Sequence, residues 1–334
     1  MAGDRPGRWV RGLACGGVPG RRRRDGDPRV ILPADLVRNV EGTWGEDGRR
    51  WLAELPSLVD AVAAQWELTV GEPFALSFNW VARAVDASGT PVVLKLGPVS
   101  GAHLGPEAAA LRAFDGRGAV RLLAADAARG ALLLERATPG TRLREMVTAG
   151  RDTEATEILV LVANSLHDAA PDPALPDVST LGVAFSQYER AFGDAGPLPL
   201  ALVRRAGALF AELCGSAPRR VVLHGDLHHD NVLRSDSVLR SGDGWLAIDP
   251  HGYVGDPGFE AGAMLYNPDP DRADDALLAA VPRRIEQLAD GLGVPLDRLT
   301  DWGFAVAMLS AVWDTEGDPG PPGRALDVAR LLLR

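Results

Sequence analysis

VVLHGDLHHDNVL, residues 221–233, sets His224, His228 and His229 beside Asp226, Asp230 and Asn231 in a run otherwise made of Val, Leu and one glycine. Half of the chain's six histidines stand here. Two chemistries compete for the stretch: imidazoles gathered around a metal, or carboxylates at work with histidines as scaffolding. His224, Asp226 and His228 alternate, so on a strand they would share one face. A hydrolytic zinc site needs about three protein ligands and an open position. The other histidines, His103, His167 and His251, are isolated, so the zinc spacing is incomplete. His167, in SLHDAAP, reads as a packed, hydrogen-bonded core histidine.

The oxygens form a fuller set. GWLAIDP delivers Asp249 at the end of a second short strand. Magnesium takes hard oxygen ligands, binding through one or two carboxylates plus substrate phosphates, and Asn231 with Asp249 suits that pattern. Asp226 is then free to accept the proton of an attacking hydroxyl, as phosphoryl transfer requires. The PHGYVGDPG segment after the second strand reads as a flexible loop that carries Asp249 over nucleotide phosphates. Such a site also needs a cation for the phosphates, held by an anion. Lys95 stands in the strand TPVVLKLG, and Glu107 follows in the helix GPEAAALRAF, the expected means of fixing an α/β-phosphate contact. A solvated edge-strand lysine is the alternative, outweighed here by the Asp226, Asn231 and Asp249 set.

The rest of the chain frames this site. Its 334 residues are long enough for two lobes. No apolar run approaches the ~20 residues of a membrane span. A net charge of −10 argues against nucleic acid as the main partner and suits a cationic small molecule. Cys15 and Cys214 form neither a disulfide framework nor a metal spacing, as expected of a cytoplasmic protein, and no obligate protein partner is evident. Residues 1–30, rich in Arg, Gly and Pro, read as a disordered basic tail or a mis-assigned start. Residues 47–68 have helical spacing, with Pro56 as a break or a helix start. DASGTP (86–91) marks a hairpin, PEAAALRAF a helix, and a second antiparallel pair turns around 128–130. Residues 153–168 and 200–214 are helical. Two short strands, RVVLHG and GWLAID, flank a polar loop at 234–244, and the remainder is mostly helical with a polar break at 314–323. A strand-rich N-lobe over 31–137 and a helical C-lobe over 138–334 follow, joined near Glu135 to Thr141, with the cleft between them as the default ligand site.

HGD-x4-N (His224 to Asn231) followed by Ile248–Asp249, with Lys95 and Glu107 upstream, resembles the aminoglycoside phosphotransferase family of the protein-kinase-like superfamily. LHGDLHHDNVL, WLAIDPHGYVGDPGFE and LSAVWDTEGD are most similar to its streptomycin 6-phosphotransferase and hydroxyurea phosphotransferase branch. The resemblance covers the chain from about Leu32 onward. It implies an α+β, bilobal protein-kinase-like fold with ATP and Mg2+ between a small strand-rich N-lobe and a larger, mostly helical C-lobe. It makes Asp226 the catalytic base, Asn231 and Asp249 the magnesium ligands, Lys95 the α/β-phosphate contact and Glu107 its anchor. Backbone groups of Glu135, Arg136 and Ala137 would meet adenine, His224 would orient the catalytic loop, and Asp256 would organise the same loop. Two departures stand out. The kinase metal-binding triplet is Asp249–Pro250–His251 here. The phosphate-covering loop ALSFNWVARAV carries no glycine, so the cradle falls to backbone amides around Ser77 to Asn79.

For the acceptor, Glu260, Asp314, Glu316 and Asp318 are candidate carboxylates for a cationic antibiotic, since buried ammonium or guanidinium groups need partners; a solvated loop is the alternative for each. The expected activity is ATP- and Mg-dependent phosphorylation of a hydroxyl on a streptomycin-type aminoglycoside. Hydroxyurea phosphorylation, another small-metabolite kinase and a non-catalytic nucleotide-binding module are the competing readings. A choline kinase would call for an aromatic cage, and Trp245, Tyr253, Phe259 and Tyr266 lie near the motif.

Overall fold

The structure, a computed structural model, describes residue 30 and residues 32–74, 78–99, 104–236, 244–269, 274–315 and 323–333. The expected tail, the Ser77 end of the phosphate cradle, His103, Glu316 and Asp318 lie outside them. The chain divides into two compact units, one up to Ala108 plus Leu122–Arg136, the other Ala109–Arg121 plus Ala137 onward. The expected boundary at 137/138 is therefore crossed by one segment, residues 109–121, which group with the second unit.

In chain order come α1 (Ala34–Gln65), β1 (Thr69–Pro73), β2 (Trp80–Val85), β3 (Pro91–Leu96), α2 (Leu104–Phe114), β4 (Leu122–Asp126) and β5 (Ala131–Glu135), with α2 running from the first unit into the second. The strands form one sheet in the order β1-β2-β3-β5-β4, with every pairing antiparallel. The β2–β3 turn is built by Asp86, whose Oδ1 accepts the N–H groups of Ser88 and Thr90, both at 2.9 Å. Gly89 supplies the positive φ of 86° that the turn needs. One stripe of α1, including Leu36, Val40, Leu55, Val59 and Val62, packs with Trp80, Ala82, Leu94 and Leu96 of the sheet. Pro56 lies inside α1, and the helix kinks instead at Gly45, at φ 55° and ψ −120°. A proline forfeits one backbone hydrogen bond, whereas Gly45 adopts a backbone that an L side chain resists.

The second unit is mostly helical: α3 (Arg144–Thr148), α4 (Asp152–His167), α5 (Val183–Phe192), α6 (Leu200–Gly215), α7 (Ala261–Tyr266), α8 (Asp275–Leu292), α9 (Leu296–Asp314) and α10 (Arg324–Leu332). α9 is buried continuously from Trp302 to Val312, as befits a helix apolar on all sides. Two small sheets lie in this unit. β6 (Pro139–Arg142), β8 (Val232–Ser235) and β9 (Trp245–Ala247) form one, and β7 (Val221–Leu223) pairs with β10 (Tyr253–Gly255) in the other. PHGYVGDPG is thus no loose loop, because its centre is β10, held in register against β7.

His167 at the end of α4 is 6% exposed, and neither ring nitrogen has a partner among the described residues. The expected core position is observed, but the expected hydrogen bond is not. Burial, with a smaller push from Arg219, lowers its pKa to about 3. An unfolded histidine titrates near 6.5, so below that pH the unfolded chain takes up a proton that the native state refuses. Native stability is complete above about pH 6.5 and falls as pH drops toward the folded pKa, by about 1.4 kcal/mol per pH unit from this group. His167→Leu is expected to remove that share of the slope. Urea unfolding of both proteins at pH 7 and pH 5 measures it, and parallel acid destabilisation would sink the assignment.

Candidate active site

β7 runs into the loop 224–231 at a point where several backbone groups converge. The carbonyl of His224 accepts the N–H groups of His251 (2.8 Å) and Gly252 (3.1 Å), extending the β7–β10 pairing. Gly225 has φ +85°, and a Cβ there would lie 2.8 Å from the Tyr253 ring, so this turn excludes any side chain. The His224 ring is buried, with Nε2 2.8 Å from the Ile248 carbonyl and Nδ1 3.3 Å from the Asp226 N–H. One nitrogen donates and the other accepts, which defines a single neutral tautomer. Burial lowers its pKa to about 4. Both nitrogens are spent on the protein, so His224 orients the loop and is no metal ligand.

Asp226 follows with its side chain one-third exposed. Its Oδ2 lies 3.5 Å from His228 Nε2 and 3.9 Å from His251 Nε2. Burial alone would raise its pKa, but His228, with His251 and His224 behind it, outweighs that and holds the carboxyl well below the usual carboxylate range. Asn231 donates from Nδ2 to the Asp226 carbonyl at 3.0 Å, which settles the orientation of its amide. The β8–β9 register pairs Val232 with Ala247, and the Ile248 N–H reaches the Asn231 carbonyl at 2.9 Å. Asn231 and Asp249 thus stand at adjacent strand ends. Asp249 has a positive φ of 58°, an uncommon backbone for a residue other than glycine and one that concentrates at functional sites. One amide oxygen and one carboxylate are hard donors that fit a divalent magnesium ion completed by phosphate and water oxygens. Among the described residues no group of three or more His, Cys, Asp and Glu is placed to hold a metal, so the zinc reading finds no support.

Two acids of this segment are tied to the protein scaffold. Glu260, expected among acceptor-binding acids, is 1% exposed, and its Oε1 accepts the N–H of His224 and, at 3.3 Å, that of Gly225. Burial, reinforced by the charge of Asp226, pushes its pKa up to about 7 against the opposing backbone donors. Asp256, expected to organise the catalytic loop, braces the scaffold instead. Its Oδ1 takes the Gly258 N–H at 2.7 Å and its Oδ2 the Arg298 guanidinium at 2.9 and 2.5 Å. Arg298 continues to the Leu213 carbonyl at the end of α6. Holding the loop amides thus falls to Glu260.

Arg144 is a contributor that sequence reading missed. Its guanidinium pairs with Asp230 at 3.1 Å and with Asp269, and its N–H donates to the His229 carbonyl at 3.1 Å. It clamps the far end of the same loop from α3. Eighty-six residues separate Arg144 from Asp230, too many for any short sequence spacing to join them. A narrow pocket lies beside Asp226, walled by His251, Glu260, Tyr266, Val306 and Trp313. Of the suggested aromatic cage, Phe259 and Tyr266 belong to this lining, whereas Trp245 and Tyr253 lie on β9 and β10 outside it. Asp314, the last residue of α9, follows Trp313 and is partly exposed.

In the first unit Lys95 and Glu107 meet as the sequence suggested. Nζ lies 2.8 and 2.6 Å from the two carboxylate oxygens, with both residues 3% exposed. Glu135 ends β5 opposite Val92 of β3, and Ala137, two residues on, is buried.

The chain as a whole is similar to known proteins. Residues 66–317 fit the family model for aminoglycoside/hydroxyurea antibiotic resistance kinases. The chain belongs to that family. It is 31% identical to streptomycin 6-kinase of Streptomyces glaucescens, over 91% of this chain and 96% of that one. It is 34% identical to hydroxyurea phosphotransferase of Kitasatospora aureofaciens, over 91% and 86%. The fold is similar to that of aminoglycoside phosphotransferase APH(3'')-Id from Streptomyces rimosus, solved with ADP and streptomycin. That likeness has a TM-score of 0.50 and 19% identity, covering 78% of this chain and 98% of that one. The strand-rich first unit and helical second unit of this family member are those of a protein-kinase-like fold. Among the described residues no helix is long and apolar enough to cross a membrane.

Proposed function

We propose that this resistance-kinase family member is an ATP- and Mg-dependent O-phosphotransferase that inactivates an antibiotic in the cytoplasm, with a streptomycin-type aminoglycoside as its acceptor. The observation that carries this reading is the Asp226 carboxylate, kept ionised and partly exposed at the centre of a loop held by His224, Glu260, Asn231 and Arg144. Asp226 accepts the proton of the acceptor hydroxyl as that oxygen attacks the γ-phosphorus of ATP. The bond from the γ-phosphorus to the β–γ bridging oxygen breaks, and ADP leaves. Lys95, aligned by Glu107, steadies the α- and β-phosphates, and the backbone from Glu135 to Ala137 receives adenine. Asn231 and Asp249 would hold magnesium, which supplies charge neutralisation at the phosphates. Catalysis on this scheme comes from positioning and electrostatics.

Hydroxyurea is the second reading, favoured by the 34% identity to a hydroxyurea phosphotransferase. Transfer from γ-labelled ATP to streptomycin, kanamycin, hydroxyurea and choline separates the possibilities. Label on streptomycin is the expected result. Label on hydroxyurea alone would move the substrate, and label on choline alone would make the protein a small-metabolite kinase. ATP binding with transfer to none of them would point to a non-catalytic module or an untested acceptor.

The metal pair has its own consequence. Asp249→Asn removes the carboxylate of the pair and should lower kcat by more than about 100-fold, a loss of several kcal/mol of charge stabilisation. The magnesium concentration for half-maximal rate should also rise. An unchanged magnesium dependence would place the metal elsewhere.

A further inference from the structure

One stretch of chain, residues 260–269, fastens both ends of the loop 224–231. At the start of the loop, Glu260 Oε1 accepts the N–H groups of His224 and Gly225. At its end the tie is indirect and runs through Arg144. Its Nη1 lies 3.1 Å from Asp230, and its Nη2 pairs with Asp269. The Arg144 N–H also meets the His229 carbonyl at 3.1 Å. Between Glu260 and Asp269 runs α7, buried over all six residues, followed by Asn267 and Pro268. A helix C-terminus leaves carbonyls without intrahelical partners, and here two buried arginines take them up. Arg284 of α8 donates to the Met264 and Asn267 carbonyls at 3.0 and 2.7 Å. Arg324 of α10 donates to those of Tyr266 and Pro268 at 2.9 and 2.6 Å. Residues 260–269 are thus a splint pinned to α8 and α10, and the loop is fastened across it.

We propose that Arg144 is a positioning residue: by bridging Asp230 to Asp269 it fixes the end of the loop to this splint and so sets the place of Asn231 and, through the Asn231 amide, of Asp226. The inference rests on the phosphotransferase reading above, which makes Asn231 a metal ligand and Asp226 the base. Asp230 adjoins Asn231, and Asn231 Nδ2 donates to the Asp226 carbonyl at 3.0 Å. A shift of Asp230 is therefore passed to both groups, and a misplacement of about 1 Å can cost about 10²-fold in rate. A guanidinium suits the task because its rigid fork of donors serves two carboxylates at once. Arg142 also approaches Asp230, at 3.7 Å, but its side chain is half exposed, and such a pair contributes little.

The test is a double-mutant cycle of Arg144→Gln and Asp269→Asn, read in steady-state transfer from Mg-ATP to streptomycin and in metal binding. Each single change should lower kcat at saturating magnesium at least about tenfold, while the KM for ATP moves by less than about twofold. The double variant should be within about twofold of the slower single, because both changes cut the same tie. Mn2+, followed by its EPR signal with a non-hydrolysable ATP analogue, should bind about tenfold or more weakly in each variant. Arg144→Lys keeps the charge on one nitrogen, cannot span both carboxylates, and should stay at least about fivefold below wild type in kcat. A merely structural role would lower the urea midpoint and leave kcat per folded molecule and Mn2+ affinity unchanged, which would overturn the proposal. Multiplicative losses in the double variant, or full rescue by lysine, would also overturn it. If Arg144→Gln does not fold, Asp269→Asn, which conserves shape, decides on the same two readouts. A wild type that binds Mn2+ with the analogue but transfers nothing would sink the phosphotransferase reading, and the Mn2+ cycle would still decide the role of Arg144. A wild type that binds no Mn2+ would overturn both.

Discussion

Asp226→Asn is expected to reduce phosphoryl transfer by about 10²–10⁴-fold, the range supplied by a positioned general base. The substitution conserves shape but removes the carboxylate that His228, with His251, holds well below the usual carboxylate range. The loop should survive, because its main supports do not use that carboxylate. Glu260 and Ile248 hold His224, and Asn231 reaches the Asp226 carbonyl at 3.0 Å. ATP affinity, read separately by fluorescence or calorimetry, should change by less than about twofold, since the proposed nucleotide contacts lie on other residues. A variant retaining more than about a tenth of the wild-type rate would show that another group takes the proton.

Breaking the buried ion pair of the first unit should give the largest loss of stability. Glu107→Ala strips the carboxylate that holds Lys95 Nζ at 2.8 and 2.6 Å and leaves a buried ammonium without it. Removing one partner of such a pair costs about 3–5 kcal/mol, whereas replacing both with apolar residues is often neutral or stabilising. Chemical denaturation of Glu107→Ala should therefore show a loss of that size, and the double variant Lys95→Met with Glu107→Leu should recover most of it. Transfer activity should not return in the double variant, since no cation then steadies the phosphates. Recovered activity would assign the pair a structural role only.

Much of the site was legible because its parts are close in sequence or carried by strongly patterned elements. HGD-x4-N lies in one loop, and Asp249 stands two residues beyond a strand of Trp, Leu and Ala. Lys95 and Glu107 are twelve residues apart, on a strand rich in Val and Leu and in the first turn of the next helix. The β2–β3 hairpin announced itself through Asp86, Ser88 and Gly89, which make their own turn chemistry. β10 escaped notice because PHGYVGDPG has the composition of a turn, and its strand character comes from pairing with β7. Pro56 misled for a related reason: propensity marks it as a breaker, yet packing of Leu52, Leu55 and Val59 carries the helix through it.

The two acids of GDPGFE show where a linear reading stops. Either Asp256 or Glu260 could serve the catalytic loop when judged by residue type. Asp256 faces Arg298 from α9, and Glu260, one helical turn on, reaches the amides of His224 and Gly225. Those partners lie 42 and 36 residues away, and which acid meets which is set by how α9 packs on this segment. By itself the sequence determined the groups available: a carboxylate in a short loop, two further hard-oxygen donors, one lysine with an acidic partner, and histidines without a metal spacing. Tertiary structure alone decided that His224 takes a single neutral tautomer, that Arg144 clamps the loop, and that Glu260 gives an oxygen to the amides of His224 and Gly225. Residue types and short spacings are local properties of a chain, whereas burial and hydrogen-bond partners exist only once distant segments have packed.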